Sequence, residues 1–206
     1  MRMLAIECAT EACSLALFEE ASGTWRLLEA RHEILGRGHA EQLVPLVASL
    51  PDKGRAQDIR VSLGPGSFTG VRIGLAAARA LGLAWNARVI GYPTLALVAT
   101  MARLRHPGPV GVCMAGGHGE WFVQDFGANG LPEGDMRSVA PDALTGRSHS
   151  TLAGNRAREK AALSGAGRNV LDMLPDARFV RDLPEALFTA GLTPIYGREP
   201  DARLPA

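Results

Sequence analysis

The chain carries 206 residues, 47% apolar and 21% charged, with a formal net charge of +1. That is the composition of a globular protein that buries a sizeable core, as one large domain or as two lobes sharing one. It excludes a strong electrostatic pull toward nucleic acid or membrane surfaces, and nowhere do about 18 apolar residues run together as a membrane span requires.

Apolar runs broken by turn residues predict three successive strands at 3–8, 13–19 and 25–33, separated by Ala9-Thr10-Glu11 and Ala21-Ser22-Gly23. An amphipathic helix follows from about His39 to Leu50, with Leu43, Val44, Leu46, Val47 and Leu50 as its apolar positions. Pro45 inside it is expected to bend it. Next come a strand at 59–63, a glycine-rich turn, a helix at 69–85, a strand at 88–91 and a helix at 94–104. His106-Pro107-Gly108-Pro109 is the strongest break in the chain. Beyond it, strands at 110–114 and 121–126 restart the opening pattern, in a copy fragmented by Gly165, Gly167, Pro175 and Pro184. The expectation is an α/β protein with duplicated mixed sheets in two lobes, residues 1–105 and a reduced 106–206.

The N-terminal apolar run is cut short at Glu7, unlike a signal peptide. Cys8, Cys13 and Cys113 form no Cys-x-x-Cys pair, which fits a reducing compartment and a cytoplasmic location. The loose basic group Arg147, Arg156, Arg158 and Lys160 reads as solvated surface.

The most informative run is Gly64-Pro65-Gly66-Ser67-Phe68-Thr69-Gly70-Val71-Arg72-Ile73-Gly74. A glycine turn from strand to helix exposes amides at a helix N-terminus, where many proteins hold phosphate. Val71 stands where a Walker A loop needs lysine, and Gly64, Gly66 and Gly70 miss the dinucleotide spacing. Spacing alone therefore favours a turn without a ligand. Downstream, Gly70, Gly74, Ala78 and Gly82 recur every four residues and form one stripe of small side chains. Each helical glycine costs roughly 1 kcal/mol relative to alanine, so the stripe predicts close approach of another helix. That helix is 39–50 of this chain or one from a partner. Gly74→Leu and Ala78→Leu are accordingly expected to abolish partner binding and spare the fold. The histidines at 32, 39, 106, 118 and 149 include no pair at metal-ligand spacing, and His39-Ala40-Glu41 lacks the Pro-Cys-x-x-Cys of zinc deaminases. Ser67 lies outside a Gly-x-Ser-x-Gly elbow. No catalytic residue and no metal site is expected.

Four blocks together resemble the TsaB family, once called YeaZ. They are Met3 to Leu17, Gly64 to Gly74, Val89-Ile90-Gly91-Tyr92-Pro93-Thr94-Leu95, and Pro194-Ile195-Tyr196-Gly197-Arg198-Glu199-Pro200-Asp201-Ala202. The resemblance implies an actin-like, ribonuclease H-like two-lobed fold of the sugar kinase, heat-shock protein and actin superfamily. It implies a non-catalytic subunit for threonylcarbamoylation of the tRNA adenosine beside the anticodon, paired with the catalytic paralogue TsaD. A TsaE-type ATPase is the further partner, tRNA is met only indirectly, and the lone chain is a homodimer with no membrane contact. The helices at 39–50 and 69–85 are implied to dock on TsaD or on a second copy, through His39, Leu43, Val47, Gly70, Gly74, Ala78 and Gly82. Thr94 and Val98 stand where TsaD carries its metal-binding histidines. Glu7, Thr10, Gly64 and Gly66 would be a vestigial nucleotide site, with no cofactor held tightly and ATP or ADP bound only within the complex.

Several positions depart from the family pattern. Glu7 replaces an aspartate, Ala115-Gly116-Gly117-His118-Gly119-Glu120 replaces Asp-Ala-Arg-x-Gly-Glu, and Tyr196-Gly197-Arg198 replaces Tyr-Leu-Arg. The competing readings are a small actin-like ATPase or kinase using the 64–70 loop with Glu7 and Thr10, and a glycoprotease-like peptidase. The peptidase reading finds no His-Glu-x-x-His here.

Overall fold

A computed structural model describes residues 1–144, 149–164 and 169–197. Strands β1 (Arg2–Glu7), β2 (Ala12–Ala21) and β3 (Thr24–Ile34) form an antiparallel meander. β4 (Asp58–Ser62) and β5 (Arg88–Tyr92) join parallel on the free side of β1, giving the order β3-β2-β1-β4-β5. The second sheet repeats that plan with β6 (Val110–Ala115), β7 (Trp121–Phe126), β8 (Arg137–Val139), β9 (Thr151–Ala153) and β10 (Asn169–Leu171). Its order, β10-β9-β6-β7-β8, is the first sheet's order with every strand in the equivalent place. This is the pair of duplicated mixed sheets expected from the repeated pattern, and it agrees with the two-lobed actin-like fold that the resemblance implies.

Helices α1 (His39–Ala48) and α2 (Phe68–Trp85) are the parallel crossovers of the first lobe and lie side by side on one face of its sheet. The first helix runs through Pro45, whose missing N–H falls on an exposed turn, and ends three residues later. The helix that joins the two sheets, α3 (Thr94–Arg105), is buried at every position from Thr94 to Ala102. A helix apolar on all sides needs neighbours on all sides. It finds them in Met3, Ala5, Ala16 and Phe18 of the first sheet and in Val110, Val112 and Phe126 of the second. A separate core joins the opposite face of the first sheet (Leu4, Ile6, Leu15, Leu17, Ile59, Val61) to Leu43, Val47, Leu75 and Ala78 of α1 and α2. The short helix α4 (Ala157–Ser164) packs beside β9 and β10.

The chain does not stay with the second lobe after β10. Ala177 donates its N–H to Ser14 Oγ at 2.9 Å, Thr189 exchanges backbone hydrogen bonds with Gly91, and Ile195 N–H donates to Leu63 O at 2.7 Å. Residues 176–197 are therefore a strap across the first lobe, although the sequence assigns 106–206 to the second. Its short turns and prolines carry no periodicity that would reveal where it lies.

Candidate functional site: the cleft between the sheets

Both sheets turn the C-terminal ends of their central strands toward one cleft, of about 760 Å³. One wall is the β1–β2 turn, Ala9, Thr10 and Glu11, with Gly66, Ser67, Phe68 and Arg72 from the start of α2. The facing wall is the β6–β7 turn, Gly116, Gly117 and His118, with Glu120, Phe122, Ser138 and Asn155. Asn155 links the walls: its Nδ2 donates to Glu11 Oε1 at 3.1 Å while its Oδ1 accepts the Ala115 N–H at 2.8 Å.

The glycine-rich run is filled by the protein itself. Ser67 N–H donates to Ala9 O at 2.7 Å, and Ser67 Oγ caps α2 by accepting the Gly70 N–H at 3.2 Å. A Cβ at Gly66 would overlap the Ala9 carbonyl, and one at Gly70 would overlap the Cys8 carbonyl oxygen. These two glycines exist to seat the β1–β2 turn against the helix start. Gly64, at φ +92°, turns the chain beneath it and lies away from the cleft lining.

Of the residues expected around a vestigial nucleotide, Thr10 and Gly66 line the cleft and Glu7 and Gly64 do not. Glu7 is fully buried and folds back, Oε1 accepting the Ala9 N–H at 2.8 Å. Its Oε2 has no hydrogen-bond partner among the described residues. Burial away from water pushes the carboxyl from 4.5 up to about 7, the Ala9 N–H pulling the other way. As a carboxylate facing phosphate-bound metal Glu7 is thus corrected: it holds the turn from below.

The expected docking set needs a larger correction. His39, Leu43, Val47, Gly70, Gly74, Ala78 and Gly82 are all buried inside this chain. His39 Nε2 lies 3.3 Å from Ala12 O. A Cβ on Gly74 would meet Cys8 Cβ at 3.4 Å and Val61 next, and one on Gly82 would meet Val89 Cγ2 at 2.5 Å. Gly74 and Gly82 therefore seat α2 on its own sheet, while Ala78 shares a core with Leu43 and Val47 of α1, the neighbour within the chain that the sequence offered. Helical spacing identifies a face but not what the face meets, and sheet and helix are equally consistent with small residues. The surface that α1 and α2 do expose is different: Ala40, Val44 and Ala48 on one helix, Ala76, Ala80, Leu83 and Ala84 on the other, interspersed with Glu41, Gln42, Pro45, Arg72 and Arg79.

Three parts of the site escaped sequence reasoning. Arg72 stacks over Phe68, 3.5 Å from the ring centroid, and donates to Tyr196 Oη at 2.9 and 3.1 Å, pinning the strap at the cleft mouth. Asn155 sits in a loop with no motif. Cys8 and Cys13 face each other across the hairpin, Sγ to Sγ 3.8 Å. Of the basic group, Arg156 pairs with Glu159 and Arg158 with Asp172, whereas Arg147 falls outside the described residues, as do Gly165, Gly167 and the end of the last resemblance block from Arg198. Among the described residues no three His, Cys, Asp or Glu side chains gather as a metal site, and no helix is long and apolar enough to cross a membrane.

Comparison with known proteins follows the same lines. Residues 32–172 match the family model "TsaD: tRNA N6-adenosine threonylcarbamoyltransferase". The "tRNA threonylcarbamoyladenosine biosynthesis protein TsaB" of Escherichia coli K12 is 40% identical over 104 residues, 48% of this chain and 43% of that protein. Its Haemophilus influenzae counterpart is 31% identical over 107 residues, 50% of this chain and again 43% of the relative. These alignments thus span less than half the length of either curated relative. A solved YeaZ from Pseudomonas aeruginosa superposes with a TM-score of 0.77 over 95% of this chain and 99% of its own, at 24% identity, which speaks for the fold. With more than half its length matched, the chain belongs to the TsaD-type family, and within it the curated relatives it is similar to are TsaB proteins.

Proposed function

We propose that this protein is a non-catalytic subunit in tRNA threonylcarbamoyladenosine biosynthesis, and that it pairs with a TsaD-type subunit through the outward faces of α1 and α2. The observation that carries this is the exposed apolar surface of the helix pair. Val44 is 57% exposed and Leu83 is 88% exposed, in a field of alanines that lets another helix pair approach closely. The names of the curated relatives support the pathway. The same surface would serve a homodimer when the protein is alone, and a TsaE-type ATPase would join the pair, with tRNA reached only through them. Such a complex would work in the cytoplasm.

The cleft supports a subordinate role for nucleotide. Its turn-filled glycine run leaves no open phosphate cradle in the lone chain, and Glu11 and Glu120 offset the charge of Arg72, so ATP or ADP would bind only once a partner completes the site. The test is titration of the purified chain with its TsaD-type counterpart. Association at micromolar concentration is expected, lost in Val44→Arg and Leu83→Arg while both variants stay folded. Wild-type affinity in both variants would refute the docking face. Calorimetry with ATP and magnesium on the lone chain is expected to show no binding; tight binding there would favour an actin-like ATPase instead.

A further inference from the structure

Strand register places Cys8 opposite Cys13. β1 and β2 pair Arg2 with Glu19 through Glu7 with Ser14, so the next rung of the hairpin is Cys8 against Cys13. Directly opposed antiparallel residues hold their Cα atoms about 4.5–5.5 Å apart, inside the window of about 4.4–6.8 Å that a disulfide spans. The two sulfurs already lie 3.8 Å apart, and both thiols are free and buried. The third cysteine, Cys113, belongs to the other sheet and packs with Trp121 and Val123.

The turn between the two cysteines is the part of the first lobe that enters the cleft. Thr10 and Glu11 line it, Glu11 reaches Asn155 on the far wall, and the Cys8 and Ala9 carbonyls rest on Gly70 and Gly66. Cys8 also faces α2, where a Cβ added at Gly74 would meet Cys8 Cβ at 3.4 Å. Anything that draws Cys8 and Cys13 together acts on the turn, on the start of α2 and on the bridge across the cleft at once.

We infer that Cys8 and Cys13 form a reversible dithiol clasp, closed by a peroxide, that locks the cleft-lining turn at residues 9–12. The step balances. The Cys13 sulfur takes one peroxide oxygen as a sulfenic acid while the O–O bond breaks and the first water leaves. Cys8 sulfur then attacks the Cys13 sulfur, the S–S bond forms, the S–O bond breaks, and the hydroxyl leaves as a second water with the Cys8 proton. Two thiols are oxidised and one peroxide is reduced. The contact between the two sulfurs holds the Cys13 thiol down and pushes the Cys8 thiol up, which makes Cys13 the first to react. Closure is confined to a rung already in place, and a thiol reductant reopens it.

The experiment uses the full chain with hydrogen peroxide, followed by intact mass, peptide mapping and amide hydrogen exchange. The expected product has lost two hydrogens, carries a Cys8–Cys13 linked peptide with Cys113 still free, and exchanges more slowly at 9–12 and at the start of α2. Dithiothreitol restores the starting mass and exchange pattern. Cys113→Ser is expected to behave as wild type and Cys13→Ser to lose no hydrogens. Since Cys13→Ser could disturb the core, its far-ultraviolet dichroism and melting point are read alongside. A linked peptide that forms only as fast as the protein globally unfolds would overturn the proposal. So would oxygen addition at Cys113 with Cys8 and Cys13 untouched, or closure that leaves exchange at 9–12 unchanged.

Discussion

The glycine stripe of α2 yields a graded test, because its members meet very different neighbours. A Cβ at Gly74 would sit 3.4 Å from Cys8 Cβ, at the edge of ordinary contact. Gly74→Ala therefore keeps the helix-propensity gain of up to ~1 kcal/mol and should raise the melting temperature by ~2–4 °C for a chain of this size. At Gly82 the added methyl meets Val89 Cγ2 at 2.5 Å, a side chain at a partly exposed edge position that can shift. Overpacking of ~1–3 kcal/mol then outweighs the propensity gain, for a net loss near ~1 kcal/mol. At Gly70 the methyl would overlap the Cys8 carbonyl oxygen, between a capped helix start and the end of a central strand. Neither side yields, and Gly70→Ala should cost ~3 kcal/mol, or ~6–12 °C in melting temperature. Thermal and urea unfolding of the three variants, followed by circular dichroism, measures the series. Equal stability of all three, or a stable Gly70→Ala that fails only in partner binding, would refute the seating of this stripe on the chain's own sheet.

Three further outcomes follow from buried charge and from the strap. Glu7 titrates near 7 in the folded chain against 4.5 in its ordinary state, so the native form holds the extra proton between those values. Stability is then complete below about pH 4.5 and falls as pH rises through about 7, by ~3 kcal/mol at ~1.4 kcal/mol per unit. Glu7→Gln should flatten that decline, as urea titrations on either side of the window would reveal; an unchanged slope would mean another group is responsible. Asp58, 1% exposed, holds Arg60 at 3.4 Å and Arg88 at 3.3 Å. Asp58→Ala strands the buried Arg60 and should cost ~3 kcal/mol in denaturant unfolding, whereas a loss under half that would show that the Phe188 ring beneath Arg60 suffices. Tyr196→Phe deletes the hydroxyl that accepts from Arg72 and should cost ~1 kcal/mol while speeding proteolysis of the strap. Cleavage at the wild-type rate would separate the strap's anchoring from that bond.

The first lobe is legible in the sequence almost to the residue, because its strands and helices each carry their own signal. The three opening strands, helix 68–85 and the buried helix from Thr94 are long, strongly apolar and bounded by turn residues. The second lobe is legible only through β6 and β7. β8, β9 and β10 have three residues each, too few to show a period, and are recruited by neighbours instead of by their own pattern. The same division runs through the site. Gly66 and Thr10 are within reach of the family resemblance, and both line the cleft, but Asn155, Tyr196 and the opposition of Cys8 to Cys13 depend on register and chain return. Inward and outward faces of α1 and α2 were exchanged for a related reason. Leu43, Val47 and the glycines carry the stronger pattern because the core needs them, while the exposed alanines carry none.

The all-round burial of α3 has a consequence for how the molecule comes apart. A helix wedged between both sheets cannot release one without uncovering itself to the other, and the strap at 176–197 adds Ala177, Val180 and Leu183 to that same core while bonding to the first sheet. The repeated topology therefore yields two sheets but one unit of unfolding. A polypeptide cut at the 106–109 turn would give halves that regain structure by complementing each other in solution, each exposing half a core until it meets its mate.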